Sequence, residues 1–231
     1  YLDRALHHAD EAERATYQSL FDLLTPVVKG WCTEQSIEIT SMGVQVHGGM
    51  GFIEETGAAQ YLRDARITPI YEGTTGIQAN DLIGRKVASE HGVTAFQLIG
   101  FMRQTLQDLD AFKDHSGLSV MRDKFEISVE ALEESVRWVV ETYSKDPQTA
   151  SAGSVPLLKL FGTVAGGWML VRSAIIAKKG LDAGSSNAKF YRSKLATSRF
   201  YAENILPLSG VLKDQVVAGH KTIVALDESY F

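Results

Sequence analysis

The stretch FEISVEALEESVRWVVETY, residues 125–143, decides the fold class. Phe125, Val129, Leu132, Val136, Val139 or Val140 and Tyr143 recur at alternating steps of three and four residues, with charges between them. A 3.6-residue period puts such positions on one side of a helix, so the stretch reads as an amphipathic helix with one buried stripe. Asp146-Pro147 breaks it, and Leu157, Phe161, Val164, Trp168, Val171 and Ile175 then form a second seam of the same kind. A loop over 180–186, a third helix over 188–206 ending before Pro207, and a shorter last one over 209–226 complete this half. Helical seams separated by short breaks predict an all-α chain, an antiparallel helical bundle. Strand signals are weak: the short alternation in 41–50 continues a helical stretch and ends at glycine.

Upstream of residue 91 the composition changes to glycine-punctuated segments. Leu2, Leu6, Ala9, Thr16, Leu20, Leu23 and Leu24 keep helical spacing from the first residues, with no capping Ser, Asp or Asn before them. The chain begins at Tyr1, without a basic-then-apolar leader, which reads as a fragment of a longer protein. Thr25-Pro26 predicts a fresh helix start, a hydroxyl cap followed by a proline whose missing N–H costs nothing in a first turn. From there Val28, Trp31, Cys32, Ile39, Met42 and Val46 are expected to face a core, until Gly48-Gly49 stops the helix. A glycine-rich loop over 48–58 follows, then a short helix over 61–67 closed by Pro69, then a threonine-capped helix opening at Gly73-Thr74-Thr75 and running towards Ser89.

Of the 231 residues, 45% are hydrophobic and 22% charged, an ordinary globular balance with enough apolar surface to offset chain entropy. The net charge of −5 argues against nucleic acid or an anionic membrane as the main partner. The single cysteine, Cys32, permits neither an internal disulfide nor a multi-cysteine metal site and points to a reducing, cytoplasmic compartment. No apolar run is read as approaching the ~20 residues needed to span a bilayer.

Two segments carry candidate chemistry. In 45–52 (QVHGGMGF) a polar side chain precedes glycines that let backbone N–H groups approach a ligand, or that simply cap and turn a helix. In 70–78 (IYEGTTGIQ) Glu72 sits just before a helix start, where free N–H groups favour an anion. Glu72 is either a surface acid near the helix dipole or, with Ile70 and Tyr71 beside it, a sheltered carboxylate whose desolvation makes it a usable base. Weaker candidates have mainly structural readings: His47 against the last helix carbonyls, Glu54-Glu55 in a solvated loop, Cys32 as a small packed residue, Arg63, Asp64 and Arg66 as an ion-pair network, and Gly166-Gly167 as a close helix contact. His7 and His8 face different directions on a helix, and no metal-ligand spacing stands out.

Together with 61–67 (YLRDARI), the two segments resemble, in order and spacing, the C-terminal helical domain of the acyl-CoA dehydrogenase family. The resemblance covers 1–90; the helices of 91–231 are similar to the additional C-terminal domain of a larger bacterial branch, so a second helical domain is expected there. It implies that Glu72 takes the α-proton of an acyl-CoA thioester while FAD accepts the β-hydrogen as hydride, giving a trans-2-enoyl-CoA. It further implies that the Glu72 N–H helps polarise the thioester carbonyl and that Tyr71 and Gly73 contact substrate. Thr74 and the helix start after it, Gly76 included, would hold FAD, and Gln45, Gly48 and Gly49 would meet the FAD of a neighbouring subunit in a homodimer or homotetramer. An electron-transfer flavoprotein is the implied acceptor. Gly76 stands where many family members carry a glutamine or asparagine, and His47 replaces a commoner aromatic. The family's N-terminal and middle domains lie outside this chain, so the isolated chain is expected to bind FAD poorly. A short sulfur-containing substrate such as 3-methylthiopropanoyl-CoA is the near alternative; a non-catalytic helical oligomerisation module is the distant one.

Overall fold

The computed structural model describes residues 1–225 and Ser229, and among these every regular element is helical. In chain order they are α1 (Leu2–His7), α2 (Glu11–Val46), α3 (Gly49–Phe52), a 3₁₀ turn (Glu54–Thr56), α4 (Ala58–Ile67) and α5 (Thr75–Asn80). Helix α5 runs on as π-helical turns over Asp81–Ala88. Then come α6 (Val93–Asp110), α7 (Ser116–Tyr143), α8 (Pro147–Ser151), α9 (Ser154–Asp182), α10 (Ala188–Asn204), α11 (Leu208–Ala218) and α12 (His220–Ile223). The last expected helix is therefore two, divided at Gly219, and residue 226 of its expected span lies outside the described residues.

Both seams are buried as their spacing demands. Phe125, Val129, Leu132, Val136 and Val139 of α7 meet Leu157, Phe161, Val164, Trp168 and Val171 of α9 in one apolar cluster. That cluster also takes Leu20, Leu23 and Val27 from α2 and Leu82, Ile83 and Val87 from the π-helical turns, so residues on both sides of position 90 share a continuous interior. Helix α9 is apolar on all sides because α2, α5, α7, α10 and α11 all pack on it. Its 29 residues, with a mean hydropathy of 1.5 over the most apolar window, are long and apolar enough to cross a membrane, a longer apolar segment than the sequence reading recognised. That window is 61% buried within the fold, as expected of a central helix.

Close approaches on α9 need glycine. A Cβ on Gly162 would lie 2.1 Å from Trp31 Cγ, one on Gly166 2.8 Å from Tyr201 Oη, and one on Gly167 2.6 Å from Leu206 Cδ2. The Tyr201 hydroxyl donates to Thr163 O at 2.9 Å and burial pushes its phenol pKa up, while Trp168 Nε1 donates to the Thr105 hydroxyl at 2.7 Å. Both aromatic polar ends are thus satisfied inside the bundle.

Four local expectations are corrected. The N-terminal periodicity is interrupted at 8–10, where Asp10 caps α2 by accepting from Glu13 N at 3.0 Å. Pro26 does not start a helix but sits inside α2. An interior proline costs roughly 3 kcal/mol, and burial of Leu20, Leu23, Val27 and Pro26 itself on one face offsets it. Val28, Ile39, Met42 and Val46, expected in a core, are each more than half exposed, and Cys32 is exposed rather than packed. Periodicity marked an apolar face correctly, but among the described residues no element covers it. Residues 48–58 are mostly ordered into short helical turns rather than a loop.

Candidate active site

The segment between α4 and α5 is a tight turn anchored at both ends. Thr68 Oγ1 donates to Ala65 O at 2.7 Å, and Ile70 N and Tyr71 N both donate to Ile67 O, at 3.0 and 3.2 Å. Thr75 N reaches back to Pro69 O at 3.2 Å, closing the turn. Within it Glu72 has φ +53° and Gly73 φ +86°, consecutive residues in the left-handed region. A non-glycine residue held there costs about 1–3 kcal/mol and persists only where its surroundings impose it. Glycine suits position 73 because its φ strains any side chain, and a Cβ there would also displace Gln78 Nε2, 2.8 Å away.

The carbonyls of the turn are taken by side chains. Gln78 Nε2 donates to Glu72 O at 3.1 Å, and Lys29 Nζ, from α2, donates to Gly73 O. Thr75 Oγ1 donates to Glu34 Oε1 at 2.5 Å, tying the start of α5 to the same stretch of α2. Among the described residues, the N–H groups of Glu72 and Gly73 meet no protein acceptor. The Glu72 side chain is exposed, as are Ile70 (47%) and Tyr71 (52%). Of the two readings of Glu72, a surface acid or a carboxylate sheltered by Ile70 and Tyr71, the first describes it within this chain: the turn lies on the surface.

Thr74 caps α5 as expected, its hydroxyl accepting from Ile77 N at 3.3 Å. Thr74→Ala should lower the unfolding free energy by about 1 kcal/mol, measured as a lower urea midpoint with unchanged slope. Of the first-turn N–H groups, that of Thr75 serves Pro69 and that of Ile77 serves Thr74, leaving that of Gly76 without an acceptor among the described residues. Thr74 and Gly76 open on a shallow groove of about 450 Å³ with Glu34, Ile37 and Arg66. The expected Arg63–Asp64–Arg66 network does not form: Arg63 pairs with Glu54 at 3.1 Å, and Arg66 has no ion-pair partner among the described residues. An unpaired guanidinium, a free N–H and open space beside Gly76, whose nearest neighbour to a Cβ is 3.9 Å away, fit an anionic group of a cofactor.

Gln45, Gly48 and Gly49 lie elsewhere, at the C-terminal end of α2, all exposed. Gln45 is eleven residues beyond Glu34, roughly 16 Å along the helix. His47 Nδ1 is 2.9 Å from Gly43 O, the helix-end contact expected of it. Gly48 has φ +61°, and a Cβ on Gly51 would lie 2.2 Å from Val44 O, so the turn itself requires these two glycines. Gly49 meets nothing within 4 Å, and no contact in this chain explains it. Lys29, Glu34 and Gln78 escaped the sequence reading. Gln78 lay inside the quoted motif, whereas nothing local marks Lys29 or Glu34.

Comparison with known proteins gives the family. Residues 1–88 match the family model described as acyl-CoA dehydrogenase, C-terminal domain, and residues 98–227 match the one described as acetyl-CoA dehydrogenase C-terminal like. The chain belongs to the acyl-CoA dehydrogenase family. Among acyl-CoA dehydrogenases it is 45% identical over 206 residues to 3-methylmercaptopropionyl-CoA dehydrogenase of Ruegeria pomeroyi, covering 89% of this chain and 34% of that protein. It is 33% identical over 218 residues to the broad-specificity linear acyl-CoA dehydrogenase FadE5 of Mycobacterium tuberculosis, covering 91% and 35%. A butyryl-CoA dehydrogenase of Syntrophomonas wolfei is 31% identical over 238 residues, covering 100% and 38%. The chain thus spans about a third of the length of these acyl-CoA dehydrogenases.

Proposed function

We propose that this chain is the C-terminal part of an FAD-dependent acyl-CoA dehydrogenase that introduces the α,β double bond of a trans-2-enoyl-CoA, with Glu72 as the base. The observation that carries the reading is the strained Glu72 turn, whose N–H groups are left free beside its own carboxylate. A thioester carbonyl accepting the Glu72 N–H gains acidity at its α-carbon, and the Glu72 carboxylate is the group at hand to take that proton. Bound FAD supplies the acceptor for the hydride that leaves the β-carbon. Thr74 and Gly76, with the groove between α2, α4 and α5, hold one cofactor; Gln45, Gly48 and Gly49 serve the cofactor of a neighbouring subunit. Their separation along α2 and the unexplained Gly49 favour that split. Tyr71 and Gly73 border the acyl-CoA. Exposure of Glu72 here is consistent with cover from the rest of the polypeptide and from a second subunit in a homodimer or homotetramer.

Residues 1–90 form the catalytic helical part and 91–231 an accessory helical part, whose residues 226–228, 230 and 231 lie outside the described residues. The electron acceptor is an electron-transfer flavoprotein and the compartment the cytoplasm. For substrate, 45% identity to the 3-methylmercaptopropionyl-CoA dehydrogenase, against 33% and 31% to the enzymes named for linear acyl chains, favours a short sulfur-containing acyl-CoA such as 3-methylthiopropanoyl-CoA. The full-length protein should purify yellow, and its flavin absorbance should bleach anaerobically on adding acyl-CoA, most rapidly with the sulfur-containing thioester. A colourless protein that still oligomerises would support a helical assembly module instead. Bleaching fastest with butyryl or longer linear chains would retain the enzyme and overturn its substrate.

A further inference from the structure

Glu72 and Gly73 occupy the left-handed region together, and each of their carbonyls is held by a side chain from a different helix. Gln78 is local, one turn into α5. Lys29 is not: it comes from α2, 44 residues away in sequence, and its half-buried ammonium donates to Gly73 O. Among the described residues Lys29 forms no ion pair, and Glu34, the acid that α2 also presents here, is engaged by the Thr75 hydroxyl. An ammonium whose one hydrogen-bonded protein partner is a backbone carbonyl holds that peptide more firmly than a neutral donor would. Holding both carbonyls keeps the turn in a conformation that an isolated Glu-Gly pair would leave.

We propose that Lys29 is a positioning residue for Glu72: its bond to the Gly73 carbonyl fixes the left-handed turn and so aims the Glu72 carboxylate and N–H at the thioester. This rests on the dehydrogenase reading above. Lys29 touches neither substrate nor cofactor; it acts through the peptide it holds.

The test uses the full-length protein with Lys29→Met, which keeps most of the aliphatic stem and loses the donor, and Lys29→Arg, which keeps a charged donor. Lys29→Met should lower kcat about 10- to 100-fold, the scale of a small misplacement of a reacting group, while KM for acyl-CoA stays within about threefold. The α-deuterium isotope effect on kcat should rise, because proton abstraction becomes rate-limiting, and Lys29→Arg should recover most of the rate. Independently of activity, the Thr75 amide, which closes the turn, should exchange its hydrogen about tenfold faster in Lys29→Met, with the α7 core amides unchanged. Wild-type kcat and wild-type Thr75 exchange in Lys29→Met would overturn the proposal, as would equal loosening of the turn and of α7. A wild-type protein without dehydrogenase activity would defeat the functional reading, and the exchange comparison would still decide whether Lys29 holds the turn.

Discussion

Glu72→Gln should reduce acyl-CoA dehydrogenation by the full-length protein by roughly 10³-fold, within the 10²–10⁴-fold range of general base catalysis, while KM for acyl-CoA changes only a few-fold. Glutamine has nearly the same shape and leaves the backbone of the turn in place. The groups that hold it, Lys29 on Gly73 O and Gln78 on Glu72 O, act on carbonyls and not on the carboxylate. The free N–H of residue 72 also survives, so carbonyl polarisation and ground-state binding are retained. On the proposed mechanism what is lost is the acceptor for the α-proton, needed only in the transition state, and such a loss falls on kcat. Rapid-reaction bleaching of the flavin is the measurement. A variant that bleaches at the wild-type rate would remove Glu72 from the chemistry; equal losses in binding and rate would make it a substrate-binding residue.

The legible parts of this protein are those whose partners lie within the chain. Phe125, Val129 and Leu132 on α7 and Leu157, Phe161 and Val164 on α9 announce burial by spacing, and each is fully buried. The same rule applied to Val28, Ile39, Met42 and Val46 recovered an apolar face and assigned it to the core, since periodicity records the face and not whether anything in the chain covers it. Pro26 misled for the opposite reason: a strong local stop signal yields when the turns before and after it pack on one core. At the site, the motif 70–78 located the turn, its cap at Thr74 and the helix after it. Ile70 and Tyr71 left Glu72 open between a surface acid and a sheltered base, because neighbours in sequence determine composition and not enclosure, and within this chain all three residues are exposed. Lys29 was illegible because a lysine on a helix resembles any solvated charge until the fold places it under a strained peptide.

Phe161→Ala should cost about 3–5 kcal/mol of unfolding free energy, while Phe190→Ala, the same change on the adjacent helix, should stay within about 1 kcal/mol. Phe161 is fully buried in the N-terminal third of α9, next to Gly162, whose close contact with Trp31 brings α2 against the same point. Removing the ring leaves a cavity that neighbours fixed by such contacts fill poorly. Phe190 on α10 is 57% exposed, and its ring meets the Lys194 ammonium, 5.5 Å from the centroid, and the neighbouring Tyr191 ring, 5.8 Å between centroids. Urea unfolding of the two variants gives the comparison directly, and equal midpoint shifts would contradict the burial difference. The same experiment tests how the two sequence regions are joined. Because Phe161 belongs to a cluster that includes Leu23 of α2 and Leu82 beyond α5, destabilising α9 should lower the unfolding midpoint of the Glu72 region together with that of residues 91–231. Probes placed in each region should therefore report a single coincident transition. Two separated transitions, with the Glu72 region indifferent to Phe161, would mean that the shared interior transmits no cooperativity and that the helices after residue 90 do not support the Glu72 turn.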